Sequence, residues 1–153
     1  MNLSVQPLTD PAAVAALEPL AQELVEAALA EERDEGAPAG AGRGVLERAL
    51  GSDCGLILRA EAEDGELAGL LVCGPLADPL AGDVRPMVQL LWTAAPYRRR
   101  GLARGLVEQA SQTLRARGHR TLAARAGHND DALISMGERW GFVRSFELLV
   151  RDE

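Results

Sequence analysis

The sequence predicts a mixed α/β (α+β) fold: a mostly antiparallel sheet flanked by helices, in the element order β-α-α-β-β-β-α-β-α-β. Three observations carry this expectation. Strand-like apolar stretches flank Glu63-Asp64-Gly65-Glu66, an Asp-Gly turn of the hairpin kind. Longer stretches repeat apolar residues every three or four positions, as amphipathic helices do. The last third alternates strand with helix, which calls for parallel strands and right-handed crossovers. The 153 residues suit one domain, 1–153, with a single sizeable core.

Leu3-Ser4-Val5-Gln6-Pro7-Leu8 alternates apolar and polar residues and reads as a half-buried strand. Thr9 or Asp10, followed by Pro11, starts a helix. Val14, Leu17, Leu20, Ala21, Leu24, Val25, Ala28 and Leu29 continue it, and Pro19 should kink or interrupt it. Its end carries Glu31, Glu32, Asp34 and Glu35, which oppose the helix macrodipole. These acids are either a solvated helix end or an acidic wall facing an acceptor. A Gly-, Ala- and Pro-rich connection over 36–44 leads to a short second helix over 45–50.

Strands are expected over 54–61 and 67–73, then a loop over 74–83, then a strand from Val84 or Met87 to Thr93. Leu102, Leu106, Ala110 and Leu114 form one stripe of the next helix, and Arg115, Arg117 and Gly118 suit its end. A strand over 120–126 and a helix over 131–139, capped by Asn129 or Asp130, follow. A final strand over 143–151 would set Phe146, Leu148 and Val150 on one face.

Composition narrows the function classes. Net charge is −7, with 23 acidic residues and 16 basic ones, all arginine. This balance, with only 3% aromatics, disfavours a nucleic-acid partner. No run is apolar enough to cross a membrane and the N-terminus lacks a basic leader, so a cytoplasmic protein with no membrane partner is expected. Cys54 and Cys73 read as two buried thiols. His119 and His128 are too few for a metal site, so no metal is expected.

The stretch from Ala95 to Val107 stands out against this acidic background. Arg98, Arg99, Arg100 and Arg104 cluster beside the small residues Gly101, Ala103 and Gly105, where a helix is about to start. The first amides of a helix lack partners within it and bind anions. Arginines add charge-assisted contacts to phosphate. The chain has no lysine, which excludes a Walker A loop, and the glycine spacing does not fit G-x-G-x-x-G.

Arg98-x-x-Gly101-x-Ala103 instead resembles the R/Q-x-x-G-x-G/A motif of the GNAT superfamily of acyl-CoA-dependent N-acyltransferases. The element order matches that GNAT-like fold along nearly the whole chain. The resemblance implies acetyl-CoA as co-substrate, its pyrophosphate held by Arg98, Arg99, Arg100, Gly101, Leu102, Ala103 and Arg104. Backbone groups of Leu91 and Thr93 would hold pantetheine, on a strand splayed from its neighbour. The implied activity is an N-acetyltransferase moving an acetyl group to a small-molecule or peptide amine by direct attack in a ternary complex. A fourth-strand amide would polarise the carbonyl oxygen. The acidic balance is compatible with a cationic acceptor. Relatives often pair through the last strand, which would make a homodimer.

The chain departs from the family at a second motif, N-x-x-A, then tyrosine, then G-F. Here Asn129-Asp130-Asp131-Ala132 and Gly141-Phe142 are one residue too far apart. In one register the tyrosine position holds Gly137, in the other Met136. In many members that tyrosine protonates the departing thiolate, so the general acid is unassigned. A thiol with pKa about 8.5 leaves with solvent help alone. Ser135 is the nearest hydroxyl on that helix. Gln89 stands where some members carry a glutamate base; it cannot take a proton but could orient a water. Trp92 is either core or a wall of the acyl pocket. The alternative reading is a catalytically silent acyl-CoA-binding sensor or regulatory domain of the same fold.

Overall fold

The computed structural model describes residues 2–32, 36–127, 130–145 and 148–151. Its strands are β1 (Leu3–Pro7), β2 (Leu56–Ala62), β3 (Leu67–Ala77), β4 (Val84–Thr93) and β5 (Ala123–Ala124). Its helices are α1 (Pro11–Ala15), α2 (Glu18–Ala30), α3 (Ala41–Leu50), α4 (Leu102–Ala116) and α5 (Asp131–Arg139), with a 3-10 turn over Ala95–Tyr97. The strands form one sheet in the order β1-β2-β3-β4-β5. The first four are antiparallel, and β5 runs parallel to β4. The expected mixed, mostly antiparallel sheet is what forms.

The two-residue period of the strands sorts their side chains into two cores. Leu58, Leu71, Cys73 and Val88 face Leu106, Val107, Ala110 and Leu114 of α4. Ile57, Leu70, Val72 and Leu90 face Val14, Leu17, Ala21, Leu46 and Ala49 of α1–α3. Leu58, Leu70, Leu71 and Leu106 are wholly buried, and each such burial stabilises the fold by about 1.5–3 kcal/mol. The central strands read as near-continuous apolar runs because both faces are covered.

Pro19 acts as expected. The first helix stops at Ala15, and α2 begins at Glu18 with the proline in its first turn. Proline has no N–H to give to the carbonyl four residues back and clashes with it. Asp10, one of the two expected caps, accepts from the Ala13 N–H at 3.3 Å. Gly118 ends α4 with φ 97°, and the His119 N–H returns to the Leu114 carbonyl. Gly141 ends α5 in the same way, with the Phe142 N–H on the Gly137 carbonyl.

Four expectations are corrected. The second helix, α3, starts at Ala41, inside the stretch expected as a connection. The stretch taken as the start of a loop at 74 continues as strand, so that Pro75 pairs with Pro86 across β3 and β4. Two prolines face each other there because both lie beyond the outer neighbours. Pairing of β2 to β3 stops at Cys73, and that of β5 to β4 starts at Met87. The fifth strand shrinks to Ala123–Ala124. The final strand is not formed among the described residues 143–145 and 148–151, where Val143, Leu148, Leu149 and Val150 are exposed. Phe146 lies outside the described residues. Strand propensity is realised only against a partner edge, and the short β5 offers little of one.

Helix α3 crosses α2 at Gly42, whose N–H donates to Gln22 Oε1 at 2.7 Å. A Cβ on Gly42 would lie 2.3 Å from the Gln22 backbone nitrogen, whereas one on Gly44 meets only the flexible end of Arg48. Gly42→Ala should therefore lower stability by about 1–3 kcal/mol. Gly44→Ala should raise it by roughly 0.5–1 kcal/mol. Urea midpoints of the two variants in parallel check the contrast, and equal shifts would contradict it.

Candidate active site

The sheet opens at β4. On one side β4 is paired to β3 through Thr93, opposite Gly69, and the ladder runs on from the Ala94 N–H to the Ala68 carbonyl at 2.9 Å. On the other side its described pairing to β5 covers only Met87 and Val88. From Gln89 to Thr93 that second edge has no described strand beside it. Backbone groups alternate in direction along a strand. Since Ala94 points to β3, Leu91 and Thr93 present their backbone groups to the open edge. The Thr93 carbonyl accepts from Arg98 Nε at 3.0 Å, which ties the arginine turn to the strand it leaves.

Within the turn, Arg99 sits at φ 62°, the one non-glycine residue with positive φ among those described. That costs about 1–2 kcal/mol. Gly101 follows at φ 79° as the N-cap of α4 and supplies no side-chain cap. The first intrahelical bond recorded at this end is Gly105 N–H to the Gly101 carbonyl. The amides of Leu102, Ala103 and Arg104 are thus the ones the helix itself leaves without partners. A Cβ built on Gly101 or on Gly105 meets nothing within 4 Å. Arg98, Arg99, Arg100 and Arg104 are all exposed around this opening. Orphan amides, a helix N-terminus, open space and guanidinium groups together fit a phosphate ester, and the open β4 edge fits an amide-bearing chain leading away from it.

The other candidates are placed as follows. Tyr97, the chain's one tyrosine, packs on the β3 side of β4, its hydroxyl 3.4 Å from Glu66 Oε2 on the hairpin. Desolvation first, then the Glu66 and Asp64 carboxylates, push its phenol up, so it stays protonated at neutral pH. It faces away from the open edge. Ser135 is exposed on α5 and makes none of the described side-chain hydrogen bonds. Asp130 caps that helix, accepting from the Leu133 N–H at 3.1 Å, while Asn129 lies outside the described residues. Trp92 is half-buried against the α1–α3 core. Gln89 is half-buried at a register shift between β3 and β4. Among the described residues, no side-chain hydrogen bond joins Ser135 to Gln89.

The acidic end of α2 is not uniformly free. Glu32 holds Arg125 through both guanidinium arms, with Nε to Oε1 at 2.8 Å. This bidentate pair ties α2 to the segment that leaves β5, where a Cβ on the buried Gly127 would lie 3.3 Å from the Glu31 carbonyl oxygen. Glu31 is exposed, and Asp34 and Glu35 lie outside the described residues. Sequence alone had no signal for this pairing, because its partners are far apart in the chain.

With this geometry in view, the comparisons with known proteins fall into place. The profile of the Acetyltransferase (GNAT) family matches residues 18–142, and the chain belongs to that family. No curated protein matches it in sequence. Among solved structures it is similar to AAC(6')-Iy in complex with the bisubstrate analogue CoA-S-monomethyl-acetylneamine. That match has 15% identity and a TM-score of 0.73 and covers 100% of this chain and 99% of that one. A ribosomal-protein-alanine N-acetyltransferase from Brucella melitensis matches at 17% identity and a TM-score of 0.69, over 99% of this chain and 100% of that one. An aminoglycoside acetyltransferase from an uncultured soil metagenomic sample matches at 26% identity and 0.62, over 99% and 100%.

Neither cysteine is built for chemistry. Cys73 is fully buried and its thiol is pushed up to about 12 by that burial. Cys54 is buried and raised too, by burial first and then by Asp53. Above the ordinary thiol pKa the unfolded chain gives up these protons while the folded protein keeps them. The unfolded state then binds fewer protons, so stability should fall as pH rises from there toward 12. A thiol-reactive chromogen at about pH 8 should find no reactive thiol in the native protein and both after unfolding. Rapid labelling of the native protein would contradict the burial.

Proposed function

We propose that this protein is an acetyl-CoA-dependent N-acetyltransferase that passes the acetyl group directly to a primary amine in a ternary complex. The observation that carries this reading is the junction of the open β4 edge with the uncapped N-terminus of α4. The amides of Leu102, Ala103 and Arg104, with the Arg98–Arg104 side chains, would take the pyrophosphate. Leu91 and Thr93 would pair their backbone with pantetheine, which aims the thioester along β4. The chain's work is then mostly approximation of two bound substrates.

The amine is cationic in solution on this reading. A net charge of −7 raises the local concentration of a cation over long range. Support also comes from the similar structures, whose names record aminoglycosides and a ribosomal protein as the molecules they act on. Glu32 is neutralised by Arg125, so Glu31 is the described member of the α2 acidic end left to face such an acceptor. The family tyrosine position holds Gly137 in one register and Met136 in the other, and the lack of a tyrosine in either gives weight to the alternative of a silent acyl-CoA sensor. Turnover of any amine in a broad panel decides between them.

Gly101 offers the sharpest test of the cofactor site. Asparagine and aspartate have the same shape and both visit the left-handed region more readily than other side chains. Gly101→Asn and Gly101→Asp should therefore strain the backbone alike. The aspartate alone sets a negative charge against the phosphates, and it should weaken acetyl-CoA binding at least about tenfold more than the asparagine. Equal affinities by calorimetry would remove the phosphate site from this turn. For the leaving group, Ser135→Ala should change kcat by less than about tenfold, since a thiolate leaves adequately without a dedicated acid. A hundredfold loss with acetyl-CoA affinity intact would make Ser135 the general acid.

A further inference from the structure

We propose that Gln89 orients the attacking amine through its side-chain amide oxygen, and that residue 74 is glycine to make room for it. This rests on the N-acetyltransferase reading and names the residue that sets the acceptor's direction. The register between β3 and β4 steps from Val72 opposite Leu90 to Cys73 opposite Val88, which leaves Gln89 without a cross-strand partner. Such a bulge bends a strand and re-aims a side chain. The last described β4 partner of β5 is Val88. Gln89 therefore stands at the closed end of the split, where β4 and β5 part.

Its Oε1 is buried and has no hydrogen-bond partner among the described residues. Among the described residues, the other buried side-chain atom in that condition, Arg59 Nε, at least has the Glu61 carboxylate 3.4 Å away. A buried acceptor left unmet is rare in folded proteins and calls for a partner supplied from elsewhere. Gly74 fits around the same group. A Cβ there would lie 2.5 Å from Gln89 Oε1 and 2.8 Å from both Cδ and Nε2. Gly74 is not among the residues with positive φ, so its backbone would accept alanine; the Gln89 amide is what demands glycine. The last torsion of a glutamine is broad and two-fold, so the amide turns from Gly74 to an incoming group at little cost.

A neutral amine donating N–H to this oxygen keeps its lone pair pointed elsewhere, free for the thioester carbon. A carboxylate here would favour the protonated ammonium, which has no lone pair. As nitrogen attacks, the C–N bond forms and the C–S bond breaks with its pair on sulfur. The excess proton on nitrogen passes to water, because an amide is not a base, and the thiolate takes a proton from solvent. Gln89 contributes direction and no proton transfer.

The test uses the full chain, acetyl-CoA, and a panel of primary amines that includes neamine and a peptide beginning with alanine. For the best amine, Gln89→Met should lower kcat/KM about tenfold or more, with acetyl-CoA affinity within about twofold of wild type. Gly74→Ala should act in the same direction, and adding it to Gln89→Ala should cause no further loss. Gln89→Glu keeps an acceptor oxygen; it should recover part of the activity and add an ionisation to the pH profile that Gln89→Met lacks. Wild-type turnover left unchanged by Gln89→Met would overturn the inference alone. So would additive losses at 74 and 89, or a parallel fall in acetyl-CoA affinity. Acetyl-CoA binding by the wild type with no amine acetylated would overturn the N-acetyltransferase reading, and this inference with it.

Discussion

The ladder between β3 and β4 bears the whole site. Because β3 pairs with β4 from Val84 to Thr93, interrupted only by the bulge at Gln89, β4 is held along one edge without help from β5. Its other edge is then at liberty to open beyond Val88. An open edge on a marginal strand would fray or recruit a foreign chain. Here the strand is clamped by Leu90 on one face and Leu91 on the other, each within a separate apolar core. The exposed row of backbone groups is thereby a rigid surface to which a ligand chain can align.

The connection from β4 to β5 does the second part of the work. The crossover between the parallel strands β4 and β5 sets α4 over the sheet, where Leu106, Val107, Ala110 and Leu114 seal the core. Its start lies immediately beyond the end of the open edge. Gly101 in the left-handed region and Arg99 beside it turn the chain sharply enough to aim free amides outward. The strain at Arg99 is small beside the apolar burial that holds α4 in place. The opposite end is pinned by Arg117, which donates to the Asp53 and Gly55 carbonyls, and by His119 against Asp53. With one end fixed, the amides at the other keep a defined position relative to β4.

Charge is divided in the same molecule. The net charge is acidic, and the turn after β4 concentrates arginines at the N-terminus of α4, which has no side-chain cap and follows an open strand edge. The Glu32–Arg125 pair stands on the far bank of the split, joining α2 to the exit of β5. That pair draws one carboxylate out of the acidic end of α2. It also braces the end of α2 against the segment that leaves β5. Exposed pairs are worth little to stability, so its consequence here is geometric.

Much of this was legible in the residues. The period of three and four from Leu102 to Leu114, the glycine at 118, the Asp-Gly hairpin and the break at Pro19 are local, and local sterics decide them. The arginine-glycine turn was legible for the same reason, since a helix start exposes its amides whatever surrounds it. Pairing is not local. The described residues of the strand expected over 143–151 form none, although their types suit it, since a strand exists only where another edge receives it. Pro75 lies in a stretch that reads as loop, and Pro86 near the start of the next strand, because proline gives no N–H to a ladder. Only the sheet order shows that neither faces an outer neighbour that would need one. Likewise, Gln89 and Gly74 come together because a bulge shifts β4 by one residue, and Glu32 meets Arg125 because α2 ends beside β5. The sequence by itself determined which segments could be helix, strand or anion-binding turn. The tertiary structure decided which edges stayed open and which polar groups went without partners, because those depend on contacts between residues far apart in the chain.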